Sequence, residues 1–287
     1  MKERVAILLP AYNAEATISR AIRSLQAQTY ANWRLYVVND GSYDRTLSEI
    51  FRFDDERISV IDLSTNLGLS GALNRGLDEI QERFVVRMDA DDQMDPKRIE
   101  IQLAHAQRCP GAGVYCAAIR VNGKQVQKPQ FKNTIDLREI LCFSNPIAHP
   151  TVMFDRDYLP AWLAYKSVTC EDYELWCSLA ESGVRFEQTA EPVLNYFVSH
   201  TQKSRVEKND AMRQAKEIAN NYTRANFPHL LNELKTVGFF FQDDIHFSIY
   251  LRLGVRILRG EIFTSSAAKI ALLRRILKKV IRSAVSL

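Results

Sequence analysis

The feature that most constrains this chain is an alternation of two hydrophobic periods over its first 120 residues. Val5–Leu9 is an unbroken apolar run that stops at Pro10, the pattern of a buried strand. Ile18, Ala21, Ile22 and Leu25 follow at helical spacing, with Asn13 placed to cap that helix. Arg34–Val38 and Ile58–Leu63 read as the second and third strands. Leu69, Leu73, Leu77 and Ile80 then predict a helix, and Phe84–Met88 a fourth strand. Pro96 sits at a helix start, with Ile99 and Leu103 on the inner face. Strands alternating with helices fold as a mostly parallel sheet covered on both sides.

Beyond residue 114 the regularity loosens. Val114–Val121 and Val193–Val198 are strand-like, residues 145–154 form a loop running into a short strand, and Cys170–Ser182 is a helix. Residues 206–226 read as a polar helix, and 245–259 and 266–285 as two basic amphipathic helices. The chain accordingly divides into a unit over 1–205 and a helical extension over 206–287.

Composition enters as a set of exclusions. With 46% hydrophobic and 25% charged residues the chain is an ordinary globular one. No uncharged apolar run reaches the roughly 18 residues of a membrane-spanning helix. The start, Lys2-Glu3-Arg4 followed by a strand, is unlike a secretory signal. Five cysteines without a CxxC pair fit neither a disulfide framework nor a zinc site, and point to a reducing cytoplasm. The net charge of +4 is unevenly spread: residues 245–287 hold nine Lys/Arg against Glu261, a surplus of +8, and leave the body at −4. A tail of that kind suits an anionic surface. Its lysines and arginines lie opposite a leucine/isoleucine face, which suits a helix lying in a membrane interface; packing of that face on protein is the alternative. Aromatics are too sparse past Phe263 for stacking on nucleic-acid bases.

In an open α/β sheet, ligands bind beyond the C-terminal ends of the strands. Strand 1 ends in Pro10-Ala11-Tyr12-Asn13, strand 2 in Asn39-Asp40-Gly41-Ser42 and strand 4 in Asp89-Ala90-Asp91-Asp92. One acid there is ordinary turn chemistry. Three acids in four positions repel one another, which a bound Mg²⁺ or Mn²⁺ would relieve; a capping turn is the alternative. Glu171-Asp172 opens a helix, where the helix dipole favours acids. A carboxylate so placed also serves as a general base toward a hydroxyl.

Six segments in order resemble the family 2 glycosyltransferases: Leu9–Glu15, Asn39–Asp44, Asn66–Gly76, Arg87–Asp92, His149–Phe154 and Glu171–Trp176. The resemblance covers roughly residues 3–205. It implies the GT-A fold, a Rossmann-like sheet flanked by helices, together with a nucleotide-diphosphate sugar donor, a divalent cation and inversion at the anomeric carbon. By it, Pro10, Ala11 and Tyr12 line the base pocket and Asp40 bonds the base. Asp89 and Ala90 lie near the ribose or the metal shell, Asp91 is the metal ligand bridging to the diphosphate, and Asp172 is the catalytic base. Glu15 and Asn66 are as well suited to bracing loops, Arg75 to phosphate or to solvent, and His149 to substrate or to loop bracing. The style of the motifs resembles bacterial enzymes that transfer sugar to a glycan or lipid-linked acceptor in surface polysaccharide synthesis, at the inner membrane face. A nucleotidyltransferase and a catalytically inactive nucleotide-sugar-binding module are the alternatives, and a homo-oligomer stays open. One segment departs from the family pattern: Phe197 and Ser199 stand where relatives carry arginine and histidine, leaving His200 or Lys203 to supply charge.

Overall fold

The computed structural model describes residues 3–123, 125–127, 131–197, 208–230, 269, 270, 272 and 273. Its centre is a nine-stranded mixed sheet. Strands β1 (Val5–Ala11), β2 (Trp33–Asn39), β3 (Ile58–Asp62) and β4 (Phe84–Arg87) are parallel, in the order β3-β2-β1-β4. Beyond β4 come β8 (Met153–Asp155), β6 (Val114–Val121), β9 (Phe186–Tyr196) and β5 (Gln93–Met94). β8 is antiparallel to both β4 and β6, so β6 and its parallel partner β9 run in the same direction as β4. The C-terminal ends of β1, β2, β4 and β9 therefore share one edge of the sheet.

The unbroken apolar run of β1 has a simple cause: both faces are buried. Val5, Ile7 and Leu9 face α1 (Ile18–Gln26) and α4 (Arg98–Arg108) in one core. Ala6 and Leu8 face α3 (Gly68–Glu79), α6 (Glu171–Glu181) and α7 (Lys208–Asn226) in the other. Ile18, Ala21, Ile22 and Leu25 are all fully buried, as the spacing predicts. Gly76 lets α3 lie flat on the sheet, because a Cβ there would stand 2.2 Å from Leu8 Cδ1.

Several expectations need correction. Asn13 does not cap α1, which starts at Ile18 after Thr17. Asn13 instead takes a left-handed φ of 48° and ties two loops together. β9 starts at Phe186 rather than Val193. The short elements β5, β7 (Gln125–Gln127), α2 (Thr46–Ile50) and α5 (Thr134–Ile140) carry no periodic signal of their own.

Helix α7 buries Ala219 and Tyr222 in the second core, and Thr223 Oγ1 donates to Cys142 O at 3.3 Å. The expected helices over 245–259 and most of 266–285 lie outside the described residues. Of the latter, Leu272 is fully buried in the same core and Leu273 packs against it, whereas Ile270 is exposed. No helix among the described residues is long and apolar enough to cross a membrane.

Candidate active site

The loops after β1 and β2 are laced by short polar side chains. Asn13 N donates to Ser42 Oγ at 3.0 Å, Tyr43 N to Asn13 Oδ1 at 3.2 Å, and Ala14 N to Thr46 Oγ1 at 2.6 Å. Glu15 bonds Arg45, and its backbone N–H donates to Asp44. Asp40 is buried, and its Oδ1 accepts Leu67 N at 2.7 Å, which draws the loop before α3 onto the end of β2. Gly41 makes that approach feasible: it takes φ of 63°, and a Cβ would stand 2.6 Å from Thr65 C. Pro10 and Ala11 are buried within β1, so of the three expected base-pocket residues only Tyr12 offers surface. Its ring meets the exposed Tyr43 edge-on, with centroids 6.1 Å apart. Asn66 Oδ1 accepts Gly68 N at the start of α3, and Arg75 pairs with Glu79 on the exposed side of that helix.

At the end of β4, Asp89, Asp91 and Asp92 each place a carboxylate oxygen within 4.8 Å of the others. Three neighbours hold this turn. Arg87, buried in the strand, forms an ion pair with Asp89 at 2.6 Å. Phe197 N, just past β9, donates to Asp92 Oδ1 at 3.2 Å. Arg20, from α1, donates to Asp91 O at 2.5 Å. Asp92 is fully buried, and burial together with the charges of Asp89 and Asp91 pushes its pKa up to about 8. Its Oδ2 is buried without a hydrogen-bond partner. An orphaned carboxylate oxygen beside two further carboxylates fits a hard divalent cation with oxygen ligands. Ala90 is half-buried against the core behind the turn.

Arg87 also joins this turn to the second acidic cluster. Its charge is felt by Asp172, His149 and Tyr165 as well as Asp89. Glu171 and Asp172 open α6, and Asp172 keeps partial exposure. Asn145 Nδ2 donates to Asp172 Oδ2 and Tyr173 N to Asp172 Oδ1, each at 2.7 Å. Burial still outweighs these bonds and raises the Asp172 pKa above its ordinary value. His149 is buried, its Nε2 lies 2.8 Å from Tyr165 Oη, and burial and then Arg87 hold its pKa well below the ordinary value. The loop before α6 is braced from α7, where Gln214 accepts Thr169 N and Asp210 accepts Thr169 Oγ1.

Residue-by-residue reading of the sequence missed Arg87, Arg20, Asn145 and Tyr165. The signal for Arg87 was present. A charge in an otherwise apolar strand demands a buried partner. A second cluster, His105, Cys109 and Glu187, lies near the opposite sheet edge, and its Glu187 is paired with Arg185 at 3.1 Å.

Residues 6–159 match the profile of the Glycosyl transferase family 2. The chain belongs to that family. An uncharacterized glycosyltransferase of Haemophilus influenzae is 30% identical to this glycosyltransferase over 256 residues, which cover 80% of the chain and 75% of the relative. The Escherichia coli UDP-Glc:alpha-D-GlcNAc-diphosphoundecaprenol beta-1,3-glucosyltransferase WfgD is 32% identical over 186 residues, 62% of this chain and 70% of WfgD. The fold is that of the mannosyltransferase PcManGT from Pyrobaculum calidifontis, solved with GDP-Man and Mn²⁺. The TM-score is 0.63 at 16% identity, over 98% of this chain and 87% of that one. The enzyme is thus a family 2 sugar transferase with the GT-A fold.

Proposed function

We propose that this glycosyltransferase is a metal-dependent, inverting enzyme that moves a sugar from a UDP-sugar to a hydroxyl of a glycan or lipid-linked acceptor. One observation carries the reading: the acidic turn Asp89–Asp92 is tied through Asp89 to the buried Arg87, and the charge of that same guanidinium reaches Asp172. Asp91 and the orphaned oxygen of Asp92 would hold Mn²⁺ or Mg²⁺, while Asp89 is committed to Arg87. A cation bound there supplies Lewis-acid stabilisation of the departing diphosphate. Asp172 takes the proton of the acceptor hydroxyl, and its raised pKa makes it a stronger base than an ordinary carboxylate. One base and one leaving-group stabiliser suffice for direct displacement; the two flanking carboxyls of a glycosidase are not required. Tyr12 and Asp40 remain the candidates for the nucleotide base. WfgD, with its UDP-Glc donor and diphosphoundecaprenol acceptor, supports a UDP-sugar and a lipid-linked acceptor.

The unit over 1–205 carries both acidic clusters in this reading, and the extension over 206–287 braces the acceptor side through α7. The +8 surplus of residues 245–287 supports a cytoplasmic enzyme that rests on an anionic membrane surface. Loss of sedimentation with anionic vesicles at low salt would remove that support. The chemical reading is tested by incubating the enzyme with UDP-, GDP- and dTDP-sugars and following donor hydrolysis. The expected result is turnover of a UDP-sugar with Mn²⁺ or Mg²⁺; full activity in EDTA contradicts it.

A further inference from the structure

The acidic turn after β4 is held from a direction its own sequence does not reveal. Arg20 lies on α1, some seventy residues earlier in the chain. One Nη of Arg20 donates to the main-chain oxygen of Asp91 at 2.5 Å. The guanidinium sits 4.0 Å from the centroid of the Phe197 ring. Phe197 in turn donates its own N–H to Asp92 Oδ1. Arg20, Phe197 and the turn thus close a ring of contacts that ties α1, the end of β9 and the acids together. The Nε of Arg20 is buried without a hydrogen-bond partner, so Arg20 accepts an unmet polar group to keep this pose. A surface arginine would turn that group to water. A flat guanidinium on an aromatic face with a fixed carbonyl in front has little freedom left.

We propose that Arg20 is a positioning residue for the cation site. Clamped on Phe197, it fixes the backbone at Asp91 and hence the aim of the Asp91 carboxylate. The inference rests on the reading of the acidic turn as a cation site. It goes beyond that reading by placing the control of the site in α1 and in the aromatic side chain at position 197.

Two effects of Arg20 on a bound cation oppose each other. Its positive charge repels the cation, and its hydrogen bond orders a ligand. At a partly exposed site the repulsion is screened. Loss of an outer contact to a metal ligand typically weakens metal binding 10- to 100-fold. Ordering therefore wins, and removing Arg20 weakens binding.

The test is Mn²⁺ binding with saturating UDP, followed by electron paramagnetic resonance, in the full-length protein and in Arg20→Met, Arg20→Lys and Phe197→Leu. Methionine keeps an apolar stem over Phe197 but cannot donate to Asp91 O. Arg20→Met is expected to weaken Mn²⁺ by about tenfold or more. Arg20→Lys, with a charge and a donor, recovers most of that loss, and Phe197→Leu gives an intermediate loss. A merely structural role would lower the melting temperature and leave Mn²⁺ affinity unchanged. Affinity in Arg20→Met within twofold of the parent, or tighter, overturns the proposal. If Arg20→Met does not fold, the pair Phe197→Leu and Arg20→Lys carries the test, and unchanged affinity in both overturns it. If the parent binds no Mn²⁺, the cation reading fails, and the role of Arg20 falls with it.

Discussion

The two acidic regions at the sheet edge are built in opposite ways. The turn Asp89–Asp92 follows directly from a strand, and its strongest ion-pair partner, Arg87, is two residues away. Asp172 opens a helix. Its side-chain partner Asn145 comes from a loop 27 residues earlier, and the strand-poor stretch before it is braced from α7, some forty residues later. The charges of the donor side are thus local in sequence and crowded, with Arg20 and Phe197 bracing the turn from afar. The acceptor side is assembled from distant pieces and held by hydrogen bonds from neutral donors. Crowding suits a site that takes a cation, whereas a base must stay accessible and must keep a pKa within reach of neutrality.

That contrast predicts where each region breaks. On the donor side, Asp91→Asn removes a cation ligand without touching the Arg87 pair. Several kcal/mol of transition-state stabilisation should go, a loss of about a thousandfold in turnover with the melting temperature nearly unchanged. Asp89→Ala should do the reverse. It leaves a buried guanidinium without its partner, a cost of about 3–5 kcal/mol, read as a lower midpoint in urea. Equal loss of stability in both variants would erase the distinction between the two acids.

On the acceptor side the expected effect is smaller. Asn145→Leu removes a hydrogen bond that favours the charged form of Asp172. Such a bond is worth about 1.5–3 kcal/mol, and one pKa unit is about 1.4 kcal/mol. The acid limb of the pH–rate profile should move up by about one to two units. An unmoved limb would mean that Asp172 is not the group that titrates.

A further effect concerns the metal-free protein. Asp92 holds its proton to about pH 8 when folded, against an ordinary value of 3.8. The folded state then binds a proton that the unfolded chain has lost. Stability should therefore fall as pH rises from about 4 to 8. Melting curves in EDTA at pH 5 and pH 9 should show a steeper decline for the parent than for Asp92→Asn. Parallel declines would remove Asp92 as the cause.

Legibility followed the same division. β1, β2 and β4 could be read as apolar runs buried on both faces, and α1 and α3 by the helical spacing of one buried face, down to Ile18, Ala21, Ile22 and Leu25. The acids at the strand ends were legible for the same reason. The first half of β9 was not: Glu187, Gln188 and Glu191 show no alternation, and this stretch is a strand because β6 pairs with it across register shifts near Ala117 and Ala118. β5 is two residues long and exists through its pairing with β9. Asn13 was misplaced because the sequence does not show that its N–H and side chain would find Ser42 and Tyr43, about thirty residues away. Asp172 was visible as a motif, but Asn145 and the bracing from α7 are long-range contacts with no local signature.

The central claim is a division of labour: the turn after β4 handles the donor and Asp172 activates the acceptor. Asp172→Asn tests it most directly, with donor affinity measured by calorimetry beside the rate of sugar transfer. The account predicts donor affinity within about twofold of the parent and a transfer rate lower by about 10² or more, the scale of a general base. Donor affinity that collapses together with transfer would contradict it and place Asp172 in the donor site.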